Sequence, residues 1–139
     1  MSELQSLCCL AGINFQKLSK KELILFEALF FARLYDALKE LYRVQYAIYF
    51  KLIKLTKETE NTMLEANIMR FIIEDILTSG EYNLQGIAYY TKLPEDVICE
   101  VIAGNNATPS AVLFKRIVSL HAEVRQPLYQ DIIKKILGD

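Results

Sequence analysis

Between Gly12 and Gly80 the chain contains no glycine, and its first proline is Pro94. Gly and Pro are the residues that most readily interrupt helix, so a breaker-free run of this length restricts the N-terminal half to long helical structure. Ser19 and Glu22 have the spacing of a capping box, which predicts that a long helix opens at about Lys20. Two adjacent heptad seams follow. One runs through Ile24, Ala28, Phe31, Tyr35, Leu38, Tyr42, Gln45, Tyr49 and Leu52; the other through Phe30, Leu34, Ala37, Leu41, Val44, Ile48 and Leu55. Arg33, Asp36, Glu40, Arg43 and Lys54 occupy the opposite face. Two seams make a broad apolar face rather than a narrow zipper stripe.

A single helix from Lys20 to Thr56 would be about 55 Å long at 1.5 Å per residue, more than a domain of this size covers. The excess is expected to pack on a second copy or to fold back at a kink. Hydrophobic residues make up 53% of the 139-residue chain, which also favours a buried subunit interface in a molecule with so much surface relative to volume. Residues 1–58 therefore read as a helical oligomerisation arm forming a homodimer. Phe31, Leu34, Tyr35, Leu38, Leu41, Tyr42, Ile48 and Tyr49 are its expected contacts.

No stretch qualifies as a membrane span. The longest uncharged run in the apolar region is Val44 to Phe50, against the roughly 20 residues a bilayer needs. The first ten residues carry Glu3 and no basic cluster, unlike a signal peptide. A cytoplasmic protein with no membrane partner is expected. Cys8, Cys9 and Cys99 are an odd set with two adjacent members, so free thiols are expected. His121 is the sole histidine, which disfavours a structural metal site. It reads as a helix C-terminal residue rather than a general base. With no Gly-rich phosphate loop and no nucleophile–base pairing, neither an enzyme nor a cofactor is expected.

The polar cluster from Thr56 to Thr62 reads as the junction to a second domain, residues 59–139, with Thr62 and Glu65 as its opening capping box. Gly80, Asn83, Pro94, Gly104, Asn105, Asn106 and Pro109 then divide the chain. Short helices are predicted near 63–79, 84–91, 95–103, 110–122 and 127–137. No strand-like alternation is present, so the fold class is all-α.

Leu84 to Gly104 resembles the helix-turn-helix core of the λ-repressor/Cro-like (XRE-type) family. Ala88 stands where two helices cross closely, and Ile87 and Ile98 take the buried positions on either side of the turn. Gly104 ends the second helix at the family's spacing, and Leu113, Ile117 and Leu120 line the inner face of the next helix. Lys92 replaces the usual turn glycine, and Leu84 replaces a common glutamine. The resemblance implies a five-helix domain and a dimeric DNA-binding transcriptional regulator. It places Lys92, Glu95, Asp96, Val97, Cys99 and Glu100 at the turn and recognition helix. It places phosphate contacts at Gln85, Asn105, Asn106, Lys115 and Arg116.

Charge points the other way. Residues 1–59 carry nine Lys/Arg against six Asp/Glu, whereas residues 60–139 carry seven against eleven. Three carboxylates on a recognition helix repel a polyanion, and neutralised phosphates supply most non-specific affinity. The alternative is a protein–protein adaptor on the same scaffold that no longer reads DNA. If DNA is bound, positive charge is expected from Lys92, Lys115, Arg116 and the arm's Lys51, Lys54 and Lys57.

Overall fold

The computed structural model describes residues 3–12, 19–104 and 110–138. Asn105, Asn106 and Pro109 lie outside the described residues. Helices account for nearly all of it, and no strand occurs among the described residues. In chain order they are α1 (Glu3–Leu10), α2 (Lys20–Gln45), α3 (Ala47–Leu52), α4 (Lys57–Ser79), α5 (Leu84–Thr91), α6 (Glu95–Ile102), α7 (Ala111–Val124) and α8 (Gln126–Gly138).

The Ser19 capping box closes as its spacing predicts: Ser19 Oγ accepts from the Glu22 amide at 3.2 Å, and Glu22 accepts from the Ser19 amide at 3.3 Å. The long helix then runs to Gln45, and one residue, Tyr46 (φ −101°, ψ 14°), separates it from α3. Backbone bonds from Tyr46 to Tyr42 and from Phe50 to Tyr46 carry the helical path across this irregularity. The next helix opens earlier than the Thr62–Glu65 pair predicts. Thr56 caps it, accepting from the Thr59 amide at 3.2 Å, while Thr62 donates its hydroxyl to the Glu58 carbonyl inside the helix. A mid-helix threonine satisfies itself on the preceding turn, so its capping spacing carries no boundary information once Thr56 has started the helix.

α4 lies at the centre of the core. Leu64, Ile68, Met69, Ile72, Ile73 and Ile76 are its buried residues, and it packs against α2, α6 and α7. The middle of α2 supplies Phe30, Phe31, Leu34, Leu38 and Tyr42 to the same core. α8 packs on α1, α2 and α7 and buries Tyr129 and Ile133. α1, which gives way to left-handed Gly12 (φ 72°), buries Leu4, Leu7 and Cys8 against α7 and α8.

One apolar cluster contains residues from both sides of the Thr56–Thr62 junction. Phe31, Leu34, Leu38 and Tyr42 lie inside the chain's own core, while Tyr35 and Leu41 are half-buried at its margin. The helix outreaches this core at both ends. Ile24, Leu25 and Leu29 are exposed at one end; Val44, Ile48, Tyr49 and Leu52 are exposed at the other.

Candidate functional site

The α5–α6 pair is built by local rules. Asn83 caps α5, its Oδ1 accepting from the Gly86 amide at 2.7 Å. Thr91 Oγ1 donates to the Ile87 carbonyl at 2.6 Å, which satisfies a buried hydroxyl at the far end of the helix. The helix stops at Lys92, which adopts left-handed backbone (φ 56°, ψ 37°). The Leu93 amide reaches back to the Ala88 carbonyl at 3.2 Å, and the Lys92 amide donates to Tyr89 at 3.4 Å. This is the Schellman pattern, in which glycine is the usual left-handed residue; Lys92 holds that conformation at the cost of its Cβ contacts. Pro94 then starts α6 with Glu95 and Asp96 in the first turn, where acids favour the positive end of the helix dipole.

Ile87 and Ile98 are completely buried and, with Val101, fix the pair to the core. This leaves a defined outer surface. Gln85, Tyr89 and Tyr90 on α5, Lys92 in the turn, and Glu95, Asp96, Cys99 and Glu100 on α6 are all exposed. Val97 is half-buried and packs against the core rather than standing free. Tyr90 stands edge-on to Tyr82 with ring centroids 5.1 Å apart, and Tyr89 edge-on to Tyr90 at 5.3 Å. Beside these rings opens a cleft of about 750 Å³, lined by Leu77, Glu81, Tyr82, Asn83, Gly86 and Tyr90. A Cβ at position 86 would lie 3.3 Å from Asn83 Oδ1 and 3.4 Å from the Tyr82 ring, so glycine keeps this wall open.

The expected phosphate contacts are differently engaged. Lys115 Nζ pairs with Glu27 on α2 and lies 5.3 Å from the centroid of the Phe31 ring. Arg116 Nη1 donates to the Lys92 carbonyl at 3.2 Å, so it braces the turn against α7. Both side chains are part-buried in helix packing, and Lys92 is the exposed cation of this surface. Gln85 is exposed in the first turn of α5, while Asn105 and Asn106 lie outside the described residues. The expected self-pairing contacts divide: Ile48 and Tyr49 are exposed, whereas Phe31, Leu34, Leu38 and Tyr42 are consumed by the core.

Sequence reasoning missed a second constellation. His121 sits in the last turn of α7 as expected, but is wholly buried. Its Nε2 lies 2.7 Å from Asp75 Oδ2 and its Nδ1 lies 2.6 Å from the Tyr129 hydroxyl. Arg125 grips the same carboxylate with two bonds, at 2.9 and 3.1 Å. A neutral imidazole that donates from Nε2 to Asp75 and accepts at Nδ1 from the Tyr129 hydroxyl uses each group once. Burial pushes the imidazole's pKa down, more than the Asp75 carboxylate pulls it up. Burial likewise raises the Tyr129 phenol far above its ordinary range. Burial tends to raise the Asp75 pKa, but its bonds from Arg125 and His121 outweigh this and lower it.

The Asp–His–Tyr chain seals His121 and Tyr129 from solvent and leaves the Asp75 side chain 33% exposed. It ties α4, α7 and α8 together. His121, Arg125 and Tyr129 follow one another at steps of four, but Asp75 lies 46 residues before His121, a separation that no local spacing announces. The thiols also divide: Cys8 is buried, and burial raises its pKa to about 11, whereas Cys9 and Cys99 are exposed. Among the described residues no helix is long and apolar enough to cross a membrane. No protein-family model matches the chain, and neither a curated protein nor a solved structure matches it.

Proposed function

We propose that the chain is a non-enzymatic interaction module that presents the outer face of α5–α6 to a basic protein partner. One observation carries this reading. Glu95, Asp96 and Glu100 all stand exposed on α6, while of the two α7 cations expected at phosphates Lys115 is paired with Glu27 and Arg116 is half-buried with one bond to the Lys92 carbonyl. A surface that reads nucleic acid needs cations facing outward to displace condensed counterions. This one offers carboxylates on α6, and α5 of the same helix pair exposes Tyr89 and Tyr90, the latter edge-on to the half-buried Tyr82. Tyrosine supplies large, rigid contact area at little entropic cost, which is why it is enriched at protein interfaces. The cleft beside Tyr82 and Tyr90 suits an anchoring side chain of the partner.

A second reading retains the DNA-binding regulator. What favours it is the short helix pair itself: two eight-residue helices joined by a left-handed turn, with Gln85 and Lys92 exposed at the positions the helix-turn-helix resemblance assigns to the nucleic acid. Homodimerisation in that reading falls to the exposed ends of α2, because the middle of the helix is already covered.

The two readings separate in one experiment. The wild type and a Glu95→Gln/Glu100→Gln variant are titrated with generic duplex DNA at low ionic strength, and in parallel with a lysine-rich peptide. The interaction module gives no DNA shift and binds the peptide, with affinity lost in the variant. A salt-sensitive DNA shift in the wild type, strengthened in the variant, establishes the regulator instead.

A further inference from the structure

The α3 region combines exposed lysines with large exposed aliphatic side chains. From Leu41 to Lys57 the sequence contains no Asp or Glu, but carries Arg43, Lys51, Lys54 and Lys57. Arg43 is taken up by Glu40 and Asn61. The three lysines are exposed, and among the described residues no ion pair engages them. Between them project Val44, Ile48, Tyr49, Leu52 and Ile53, with Ile48 and Leu52 each 76% exposed.

This tip is held in shape from below. Phe50 is buried, and the Tyr46 ring stacks on Phe71 at 4.9 Å. Lys54, with left-handed backbone (φ 54°), closes α3 through the bonds Leu55 to Phe50 and Lys54 to Lys51. The aliphatic side chains are therefore carried outward by ordered helix and turn.

We propose that this tip docks the protein onto an anionic lipid bilayer. Ile48, Leu52 and Ile53 enter the boundary between headgroups and acyl chains, and Tyr49 lies at the headgroup level. Lys51, Lys54 and Lys57 meet the lipid phosphates and carboxylates. A chain with no spanning helix can lie on a membrane by this combination of apolar insertion and basic charge. Two other occupants fit less well. Nucleic acid rewards the lysines but gives four large aliphatic side chains nothing to contact. A two-fold contact with a second copy buries the aliphatics but sets each lysine cluster against its own image.

The test is co-sedimentation of the full chain with phosphatidylcholine vesicles containing roughly a third phosphatidylserine, against pure phosphatidylcholine vesicles. Binding to the anionic vesicles that falls with added salt is expected. Ile48→Asp/Leu52→Asp should abolish it. Lys51→Gln and Lys57→Gln should each weaken it about fivefold on anionic vesicles, with Lys54 left in place to preserve its turn. Circular dichroism checks folding; should the aspartate pair disturb it, the glutamine variants carry the test. Failure to co-sediment at low ionic strength overturns the proposal. So does a wild-type oligomer that Ile48→Asp/Leu52→Asp dissolves and vesicles leave intact. Duplex DNA binding that survives the aspartate pair and fails in the glutamine variants, without vesicle binding, also overturns it.

Discussion

The α5–α6 turn and the α3 tip end their helices with the same device, yet they serve opposite surfaces. Each places a lysine, Lys92 or Lys54, in left-handed backbone and closes the last turn with a pair of backbone bonds. Beneath α5–α6, Ile87, Ile98 and Val101 are buried, and Arg116 braces the turn carbonyl. Beneath α3, Phe50 alone is fully buried, with Tyr46 stacked beside it. The first surface is acidic and aromatic, the second basic and aliphatic. Backbone closure thus fixes where a surface stands, whereas the side chains facing outward fix which chemistry it meets.

The largest expected effect contrasts anchors with outward-facing residues. Ile98→Ala should destabilise the fold by about 2–5 kcal/mol, because it opens a cavity in a closed part of the core. Ile48→Ala, at a side chain mostly in solvent, should change stability by less than about 0.5 kcal/mol. Urea unfolding of the two variants beside the wild type measures both. Equal losses would mean that the tip is as firmly embedded as the pair and that its aliphatics are structural.

Next comes the scaffold on which α5–α6 rests, since α4 and α7 are joined through Asp75 and His121. The folded-state pKa of His121 lies below its ordinary 6.5, so the unfolded chain binds the proton more readily. The contribution of His121 is complete above about 6.5 and is lost as pH falls below that value. Asp75, whose pKa is lowered from 3.8, contributes fully above that value and loses its term only in stronger acid. Stability should therefore drop between pH 7.5 and 5.5, read as a falling urea midpoint, and His121→Asn should flatten the slope. Relative to the intrinsic exchange rate at each pH, hydrogen exchange at the lower pH should rise in α4, α7 and the α5–α6 pair they carry. An equal rise confined to α3 would break the link between this network and the acidic surface.

The two left-handed lysines give a smaller and more symmetrical test. Lys54→Gly and Lys92→Gly should each stabilise by up to about 1 kcal/mol, as relief of Cβ crowding outweighs the added freedom of the unfolded chain. Similar gains at both positions would confirm that the turns are equivalent and that only their surroundings differ. The smallest effect belongs to Glu95→Gln and Glu100→Gln, expected to shift stability by less than about 0.5 kcal/mol while altering partner binding. A larger loss of stability would assign these carboxylates to the fold rather than to a surface.

Much of the architecture was readable because local chemistry sets it. Ser19–Glu22, Gly80, Asn83 and Pro94 each mark a helix end with the residue type that end requires, and the observed boundaries follow them. The all-helical class follows from the breaker-free run and the absence of alternation. Lys92 in the turn could be recognised as a position demanding unusual backbone, since glycine is the residue that ordinarily stands there. The apolar face of α2 and its excess length over one domain were equally visible in its seams. So was the acid-free window from Leu41 to Lys57, although its meaning depends on which side chains the fold leaves outside.

Tertiary contacts decided which seam residues are covered within the chain. A heptad seam is the same whether a second copy covers it or the chain's own α4 and α8 do. Packing sent Phe31, Leu34, Leu38 and Tyr42 inward and left Ile48 and Tyr49 out. Lys115 and Arg116 look free in the sequence; only the packing of α7 against neighbouring elements directs them to Glu27 and to the Lys92 carbonyl. His121 meets Asp75 across 46 residues, a separation that no local pattern encodes. Periodicity and capping act within a few residues and are written in the chain itself. Burial, pairing and the sign of an exposed surface depend on which helices come together, and that is decided by the packed core as a whole.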